Sequence, residues 1–267
     1  MNQQSQVAVV GAGIMGEALI SALISSGVNP ELITISEKRA DRSAELIAKY
    51  SIRQAPLAHN VAAADALLLV VKPQDMAGVL EEIKGTINPS AVVITFAAGK
   101  TISFISKGLG TGNPVVRVMP NTPTLVGAGM AAASMGAGVT DTQKQFVLEF
   151  LAATGKVIEV TEQLQDAVTA TSGSGPAYFF AFVEAMVAGA RDLGLSESDA
   201  TTLTIQTIVG AARLLEESDK SPTTLRENVT SPNGTTAAAL ASFASSDLNS
   251  MVATAMKAAR DRSQELA

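Results

Sequence analysis

The sequence predicts an α/β protein: a doubly wound parallel sheet in the first part of the chain, followed by an all-helical domain. Three observations predict this. Up to about residue 160, short apolar runs rich in valine, isoleucine and leucine alternate with helix-length segments, as successive βαβ units do. Most of these runs are apolar throughout, which suits strands covered on both faces. Beyond Thr161 no strand-like run remains, and every segment reads as helix. The expected domains are therefore 1–161 and 162–267.

In chain order, the expected strands are VAVV (7–10), LITIS (32–36), ALLLVV (66–71), AVVITF (91–96), VVRVM (115–119) and KVIEV (156–160). GEALISALISSG and ADRSAELIAKY supply helices between the first of them. The second part carries helical segments punctuated by Gly194 and Pro222. Segment 176–193 is apolar nearly all the way round, with Glu184, Arg191 and Asp192 its only charges, and segment 200–215 is similar. A helix without a polar face must be covered on all sides. A domain of about 100 residues has too little volume to do so alone. A central core helix would meet the need within one chain. An intertwined subunit interface meets it better and predicts a homo-oligomer. Glu184 would then contact a ligand or be paired within the interface.

Composition narrows the function. Hydrophobic residues make up 47% of the chain and charged residues 16%, the balance of a well-cored globular protein. A net charge of −6 without a basic block argues against a nucleic-acid partner. There is no cysteine, hence no disulfide and no thiol catalysis. The single histidine, His59, falls in a surface loop and is given no role; no His-based triad and no metal site is expected. The N-terminus lacks the pattern of a signal peptide, and PAYFFAFVEAMVAGA, interrupted by Glu184, is too short to cross a bilayer. A cytoplasmic protein with no membrane partner is expected.

The most informative motif is VAVVGAGIMGEALI. Gly11, Gly13 and Gly16 have the G-x-G-x-x-G spacing, directly after a buried strand and at the opening of a helix. Gly11 permits the tight turn, Gly13 lets the backbone approach a pyrophosphate, and Gly16 lets helix and strand pack closely. The helix start, through Ile14 and Met15, offers N–H groups to the anion. Counting 20 residues from Gly16 lands on Ser36, in ISEKRADR. A hydroxyl followed by Lys38, Arg39 and Arg42 suits a 2′-phosphate, with Lys38 the leading cation, and so NADPH. Glu37 points the other way, since a carboxylate there would serve the ribose of NADH.

Further loops follow strand ends, where ligands of open α/β sheets lie. Val71, Lys72 and Pro73 end one strand, Ala97, Ala98 and Gly99 the next, and Asn121 stands in the rigid Pro-Asn-Thr-Pro after a third. All are expected to contact the cofactor. TSGSGP opens a long helix, with Pro176 suited to a first turn, and its small residues leave room for ligands or for tight helix packing.

TSPNGTTAAAL raises a different question. Ser231, Asn233, Thr235 and Thr236 are helix-capping residue types ahead of a good helix former, so the segment is a helix start. It either caps the helix and does nothing more, or offers its unpaired N–H groups to a carboxylate.

Taken together, VVGAGIMGEALI, VVKPQ, FAAGKTI, RVMPNTP, TATSGSGPAYFF and LRENVTSPNGTTAAAL resemble the pyrroline-5-carboxylate reductases, in order and along essentially the whole chain. The last two motifs are the specific ones. The resemblance implies a Rossmann-type domain joined to a helical dimerisation domain, in a homodimer and often a ring of dimers up to a decamer. It implies NAD(P)H-dependent reduction of 1-pyrroline-5-carboxylate to L-proline. It places the substrate carboxylate on Ser231 and the N–H groups of Gly234, Thr235 and Thr236, with the Thr236 hydroxyl on the ring nitrogen. The chain departs from the family where an Asn usually precedes the 66–71 strand: Asn60 stands closer to the strand, and Leu57 takes the usual place. Ala244 replaces a polar residue, often acidic, at the end of the following helix. Two rivals share part of the pattern. A β-hydroxyacid dehydrogenase would need a lysine on the first long helix of the second domain, and SGSGPAYFFAFVEAMVAGAR has none. A non-catalytic NADP-binding regulator would have no use for the Ser231–Thr236 helix start.

Overall fold

The computed structural model describes residues 5–266. Its first part is an eight-stranded sheet in the order β3-β2-β1-β4-β5-β6-β7-β8. The strands are β1 Val7–Val10, β2 Ile33–Ser36, β3 Arg53–Gln54, β4 Ala66–Leu69, β5 Val92–Thr95, β6 Val115–Met119, β7 Gly129–Met135 and β8 Gly155–Glu159. All neighbours pair in parallel except β6 and β7, which are antiparallel. The order 3-2-1-4-5-6 reverses direction between β1 and β4. Ligands of such sheets bind at that switch point, beyond the carboxyl ends of the strands.

Six of the eight strands fall on the expected runs. β7 does not, because GMAAASM is built of small residues with little intrinsic preference for strand. Its place between β6 and β8 buries Ala131, Ala132 and Ala133 completely. β3 has two residues and gives no pattern to read. The 66–71 run ends early as a strand, at Leu69, and releases Val70 and Val71 into the loop at the switch point.

Helices α1 Ile14–Ser25, α2 Ala40–Tyr50, α3 Leu57–Ala63, α4 Met76–Ile83, α5 Ile102–Leu109 and α6 Asp141–Ala152 cover the sheet. One core packs Leu19, Ile20 and Leu23 of α1, Leu46 of α2 and Phe150 of α6 against one face. The other packs Val61 of α3, Met76, Leu80 and Ile83 of α4 and Ile105 of α5 against the opposite face. The central strands β1, β4 and β5 are therefore buried on both sides, which is why their sequences are nearly apolar throughout.

After β8 the chain is helical: α7 Gln165–Val168, a π-helical turn over Thr169–Gly173, α8 Gly175–Asp192, α9 Glu197–Glu217, α10 Pro222–Asn228, α11 Thr235–Ser245 and α12 Leu248–Glu265. The chain divides into two compact units, Met1–Ser174 with Ala259–Ala267, and Gly175–Ala258. Packing thus groups residues 162–174 and the end of α12 with the sheet.

The second unit has almost no core of its own. α8 buries only Gly175, α9 only Ala200 and Thr204, and α11 nothing. Phe179, Phe180, Leu203, Leu214 and Met251 are all more than half exposed. Glu184 is exposed as well. Such helices need a second surface to cover them.

Candidate functional site

A cavity of about 730 Å³ lies at the switch point. Gly11 and Gly13 of the glycine loop, Ser36 to Arg39 after β2, and Val70 to Lys72 after β4 line it. Leu57, Ala55 and Pro56 add an apolar wall.

The three glycines have three separate reasons. Gly11 has φ +88°, and a Cβ on it would meet the Val70 carbonyl oxygen at 2.7 Å. A Cβ on Gly16 would meet the Gly11 carbonyl oxygen at 2.3 Å, so only glycine lets α1 sit this close to β1. A Cβ on Gly13 would meet nothing within 4 Å. The space over Gly13 is open cleft, the close backbone approach that a pyrophosphate needs. Gly13 is also the N-cap of α1 and makes no side-chain cap. No protein group among the described residues accepts from the N–H of Gly13, Ile14 or Met15. Ile14 is 70% exposed, whereas Met15 packs its side chain against the core.

The β2 end sorts its charges. The Glu37 carboxylate accepts from the Ala12 N–H at 2.9 Å and the Arg39 N–H at 3.0 Å. It is committed to the loop backbone. The Ser36 hydroxyl donates to the Ala55 carbonyl and accepts from Asn60 Nδ2, both at 3.0 Å. Asn60 is buried and also donates to the Thr34 carbonyl, so it braces β2 from α3 while Leu57 faces the cavity. Arg42, grouped by sequence with the cations for a 2′-phosphate, is spent elsewhere: Nε donates to the Ala12 carbonyl at 3.1 Å and the guanidinium pairs with Glu17 and Glu45. Lys38 is exposed on the cavity wall, and none of the described residues partners it. The Lys49 ammonium, followed by Arg42 and Tyr50, holds the Glu17 carboxyl down at about 2, against the upward push of burial.

Lys72 lines the cavity, whereas the loops after β5 and β6 stand outside it. Lys72 precedes a one-turn helix opened by Pro73. Gly99 has φ +74°, and a Cβ on it would meet Leu266 Cβ at 2.6 Å. Beside it Lys100 Nζ donates to the Leu266 carbonyl at 2.8 Å. The small residues Ala97, Ala98 and Gly99 thus receive the end of α12. Asn121 spends its amide on structure, donating to the Ser172 carbonyl at 3.2 Å and accepting from the Met130 N–H at 2.8 Å. The π-helical turn is set by the Ser174 N–H on the Thr169 carbonyl at 2.8 Å. A Cβ on Gly173 would meet Met119 Cε at 2.4 Å, so this glycine serves close packing.

Sequence reading missed a buried cluster next to this turn. Arg117 on β6 is 4% exposed and pairs with Glu162 at 3.6 Å and Asp166 at 3.3 Å. Glu162 also accepts from the Ile102 N–H, and Asp166 from the Ser263 hydroxyl. A charged residue inside VVRVM is the signal that could have found it, because a buried arginine must have acidic partners.

In the second unit, α11 begins at Gly234, which is its N-cap with no side-chain cap. Asn233 turns the chain at φ 60°. A Cβ on Gly234 would meet Ser231 Oγ at 2.4 Å, so glycine is needed for that hydroxyl to lie over the helix start. The hydroxyls of Ser231, Thr235 and Thr236 have no hydrogen-bond partner among the described residues, and the first in-helix bond joins the Ala238 N–H to the Gly234 carbonyl. The capping residue types are present, yet none of them caps. The Gly234 N–H donates to the Ser231 carbonyl at 3.1 Å, whereas no described residue accepts from the N–H of Thr235 or Thr236; these N–H groups and the hydroxyls are left together at one helix start, an arrangement that receives an anion.

Residues 162–266 match the family model for pyrroline-5-carboxylate reductase dimerisation, and residues 6–99 match that for NADP oxidoreductase, coenzyme F420-dependent. The chain is 42% identical to the pyrroline-5-carboxylate reductase of Corynebacterium melassecola, across 97% of this chain and 98% of that protein. Its structure is similar to that of a pyrroline-5-carboxylate reductase from Coxiella burnetii (TM-score 0.91, 35% identity, 98% of both chains). It is also similar to that of Plasmodium falciparum pyrroline carboxylate reductase with NADP bound (TM-score 0.88, 28% identity, 100% and 99% of the two chains). The chain belongs to the pyrroline-5-carboxylate reductase family, oxidoreductases that reduce 1-pyrroline-5-carboxylate to L-proline with NAD(P)H.

Proposed function

We propose that two helix starts divide the work of this reductase, α1 binding the dinucleotide and α11 the imino acid. The observation that carries this reading is the uncapped start of α11. Ser231 and the N–H groups of Thr235 and Thr236 hold the substrate carboxylate, while the Gly234 N–H, expected to join them, is engaged by the Ser231 carbonyl and closes the turn. The partial charge of about +0.5 at a helix N-terminus favours it without an arginine. The Thr236 hydroxyl then hydrogen-bonds the ring nitrogen and fixes which carbon of the C=N bond is presented.

The dinucleotide fits the residues at the switch point: the space over Gly13 is open, and the N–H groups of Gly13, Ile14 and Met15 lack protein partners. When bound, it supplies the hydride that ends on the imine carbon. The electron pair of the C=N bond goes to nitrogen, which must carry or gain a proton. Thr236 holds that nitrogen and can pass a proton from water; the chain has no cysteine, and its one histidine is exposed on α3. Rate therefore comes mainly from alignment. Lys38 on the cavity wall supports NADPH as the preferred form, since the nearby Glu37 carboxylate is already engaged. Ser36, Val71 and Lys72 line that end of the cleft, with Pro73 next in the chain; Ala97, Ala98, Gly99 and Asn121, outside the cavity, are assigned to the nicotinamide end.

We further assign the exposed apolar helices of the second unit to a homodimer interface, with a ring of dimers up to a decamer as the larger assembly, in the cytoplasm. Among the described residues no helix is long and apolar enough to cross a membrane.

Thr236→Ala tests the reading. It should lower kcat/KM for pyrroline-5-carboxylate by about 10²-fold, the scale of one lost proton-handling group, and leave NADPH affinity unchanged. Full activity in the variant, or an equal loss of cofactor binding, would refute the role.

A further inference from the structure

Ala12 sits between the two glycines of the loop, and both of its backbone polar groups are held by side chains from the segment after β2. Its N–H donates to Glu37 Oε2 at 2.9 Å, and its carbonyl accepts from Arg42 Nε at 3.1 Å. With a glycine on either side, the Ala12 peptides would otherwise be free to turn. In a trans peptide the carbonyl and the following N–H point in opposite directions. No cis bond occurs among the described residues. Drawing the Ala12 carbonyl toward Arg42 therefore turns the Gly13 N–H away from Arg42. That N–H has no protein partner, and Gly13 lines the cavity.

Arg42 is itself fixed. Nη1 bonds Glu45 at 2.7 Å, and Nη2 bonds Glu17 on α1, the helix that the loop opens. Glu17 is bonded in turn by Lys49 at 2.8 Å and Tyr50 at 3.1 Å, both on α2. The Arg42 side chain is 11% exposed, while Lys38 stands in solvent at the cavity wall. The two cations of one sequence cluster are therefore placed for different tasks.

We propose that Arg42 is a positioning residue for dinucleotide binding: held by Glu17, it fixes the Ala12 carbonyl and so aims the Gly13 N–H at the pyrophosphate. It acts on the part shared by NADPH and NADH, and does not read the 2′-phosphate. This rests on the reading of the switch-point cavity as the dinucleotide site.

The test is equilibrium binding of NADPH and of NADH, followed by nucleotide fluorescence, to wild-type protein and to Arg42→Met, Arg42→Lys and Glu17→Gln, each with an unfolding curve. Arg42→Met should weaken both nucleotides by the same factor, about tenfold, as loss of a charge-assisted hydrogen bond implies. Saturating cofactor should restore kcat to within about twofold, since the loss is in binding. Arg42→Lys should recover only part, because an ammonium lacks the planar fork that serves carbonyl and carboxylate together. Glu17→Gln should show the same NADPH-to-NADH ratio as wild type with a smaller loss, and carries the test if Arg42→Met does not fold. Selective loss of NADPH would make Arg42 a 2′-phosphate ligand and overturn the proposal. So would unchanged affinity for both in a folded Arg42→Met. Wild-type protein that binds neither nucleotide would overturn the cavity reading itself, an outcome distinct from either.

Discussion

Gly13 and Gly16 are three residues apart in one loop, and the structure gives alanine opposite consequences at the two. At Gly13 the backbone has φ −66°, which alanine adopts without strain, and its Cβ would enter open space. Gly13→Ala should therefore leave stability within about 0.5 kcal/mol of wild type, or raise it slightly by stiffening the unfolded chain. The new methyl would stand in the cleft where the pyrophosphate must approach. NADPH affinity should fall by at least about tenfold, each factor of ten corresponding to about 1.4 kcal/mol. At Gly16 the Cβ would lie 2.3 Å from the Gly11 carbonyl oxygen, a backbone atom that cannot swing aside. Relief requires α1 to lift from β1, and overpacking of this kind costs about 1–3 kcal/mol. Urea unfolding and NADPH titration on the two variants decide the matter. A Gly13→Ala protein as unstable as Gly16→Ala, or one that binds NADPH as wild type does, would refute the assignment of Gly13 to the ligand and Gly16 to packing.

Two further outcomes follow from the same geometry. Glu17 has its carboxyl lowered from 4.5 to about 2 in the folded chain. Its contribution to stability is therefore fully present above the unfolded value and is lost as pH falls from about 5 through about 2. Because Lys49 is well exposed, solvent screening limits that contribution to about 1–2 kcal/mol, and Glu17→Gln should flatten the acid limb of a stability-versus-pH curve by that amount. Gly99→Ala combines a left-handed backbone with a collision at Leu266, so hydrogen exchange at 259–266 should accelerate while the strands of the sheet keep their protection; unchanged exchange there would show that the end of α12 does not depend on Gly99.

The glycine loop was legible because its rule is local. A turn, an open backbone and a close helix are all consequences of residues within one short stretch, and each glycine found its own reason in the structure. The strands were legible for a similar cause, since burial on both faces writes itself as an unbroken apolar run. β7 escaped because alanine carries no strand signal, and only its neighbours make it one. Arg42 and Lys38 looked alike in sequence. What separates them is Glu17 on α1, 25 residues before Arg42, and a carbonyl in the loop, neither of which spacing reveals. Arg117 was visible as an anomaly within a strand, but its partners lie 45 and 49 residues further on, brought there by the path through β7 and β8. In TSPNGTTAAAL the residue types predicted a capped helix as readily as an open one. Only coordinates show that the N-cap is glycine and the hydroxyls are unused.

That last difference bears on how an acidic chain holds acidic ligands. With a net charge of −6, long-range attraction does not favour an anionic substrate or a dinucleotide. Local donors must supply what overall charge does not. Four other helix starts are closed by their own side chains: Thr101 caps α5, Thr140 caps α6, Ser196 caps α9 and Ser221 caps α10; α2, α3, α4 and α7 have no side-chain cap, and their N-caps are Arg39, Pro56, Asp75 and Leu164. At α1 and α11 the N-cap is glycine, and no side chain competes for the first N–H groups. A serine in place of Gly13 would be an ordinary gain for the helix, worth a few tenths of a kcal/mol over glycine, whereas at Gly234 any Cβ would displace the Ser231 hydroxyl. Both glycine-capped starts leave first-turn N–H groups open, one in each compact unit. Stability of a helix end and capacity for an anion draw on the same N–H groups, so a glycine N-cap, which brings no side chain to compete for them, keeps them for a ligand.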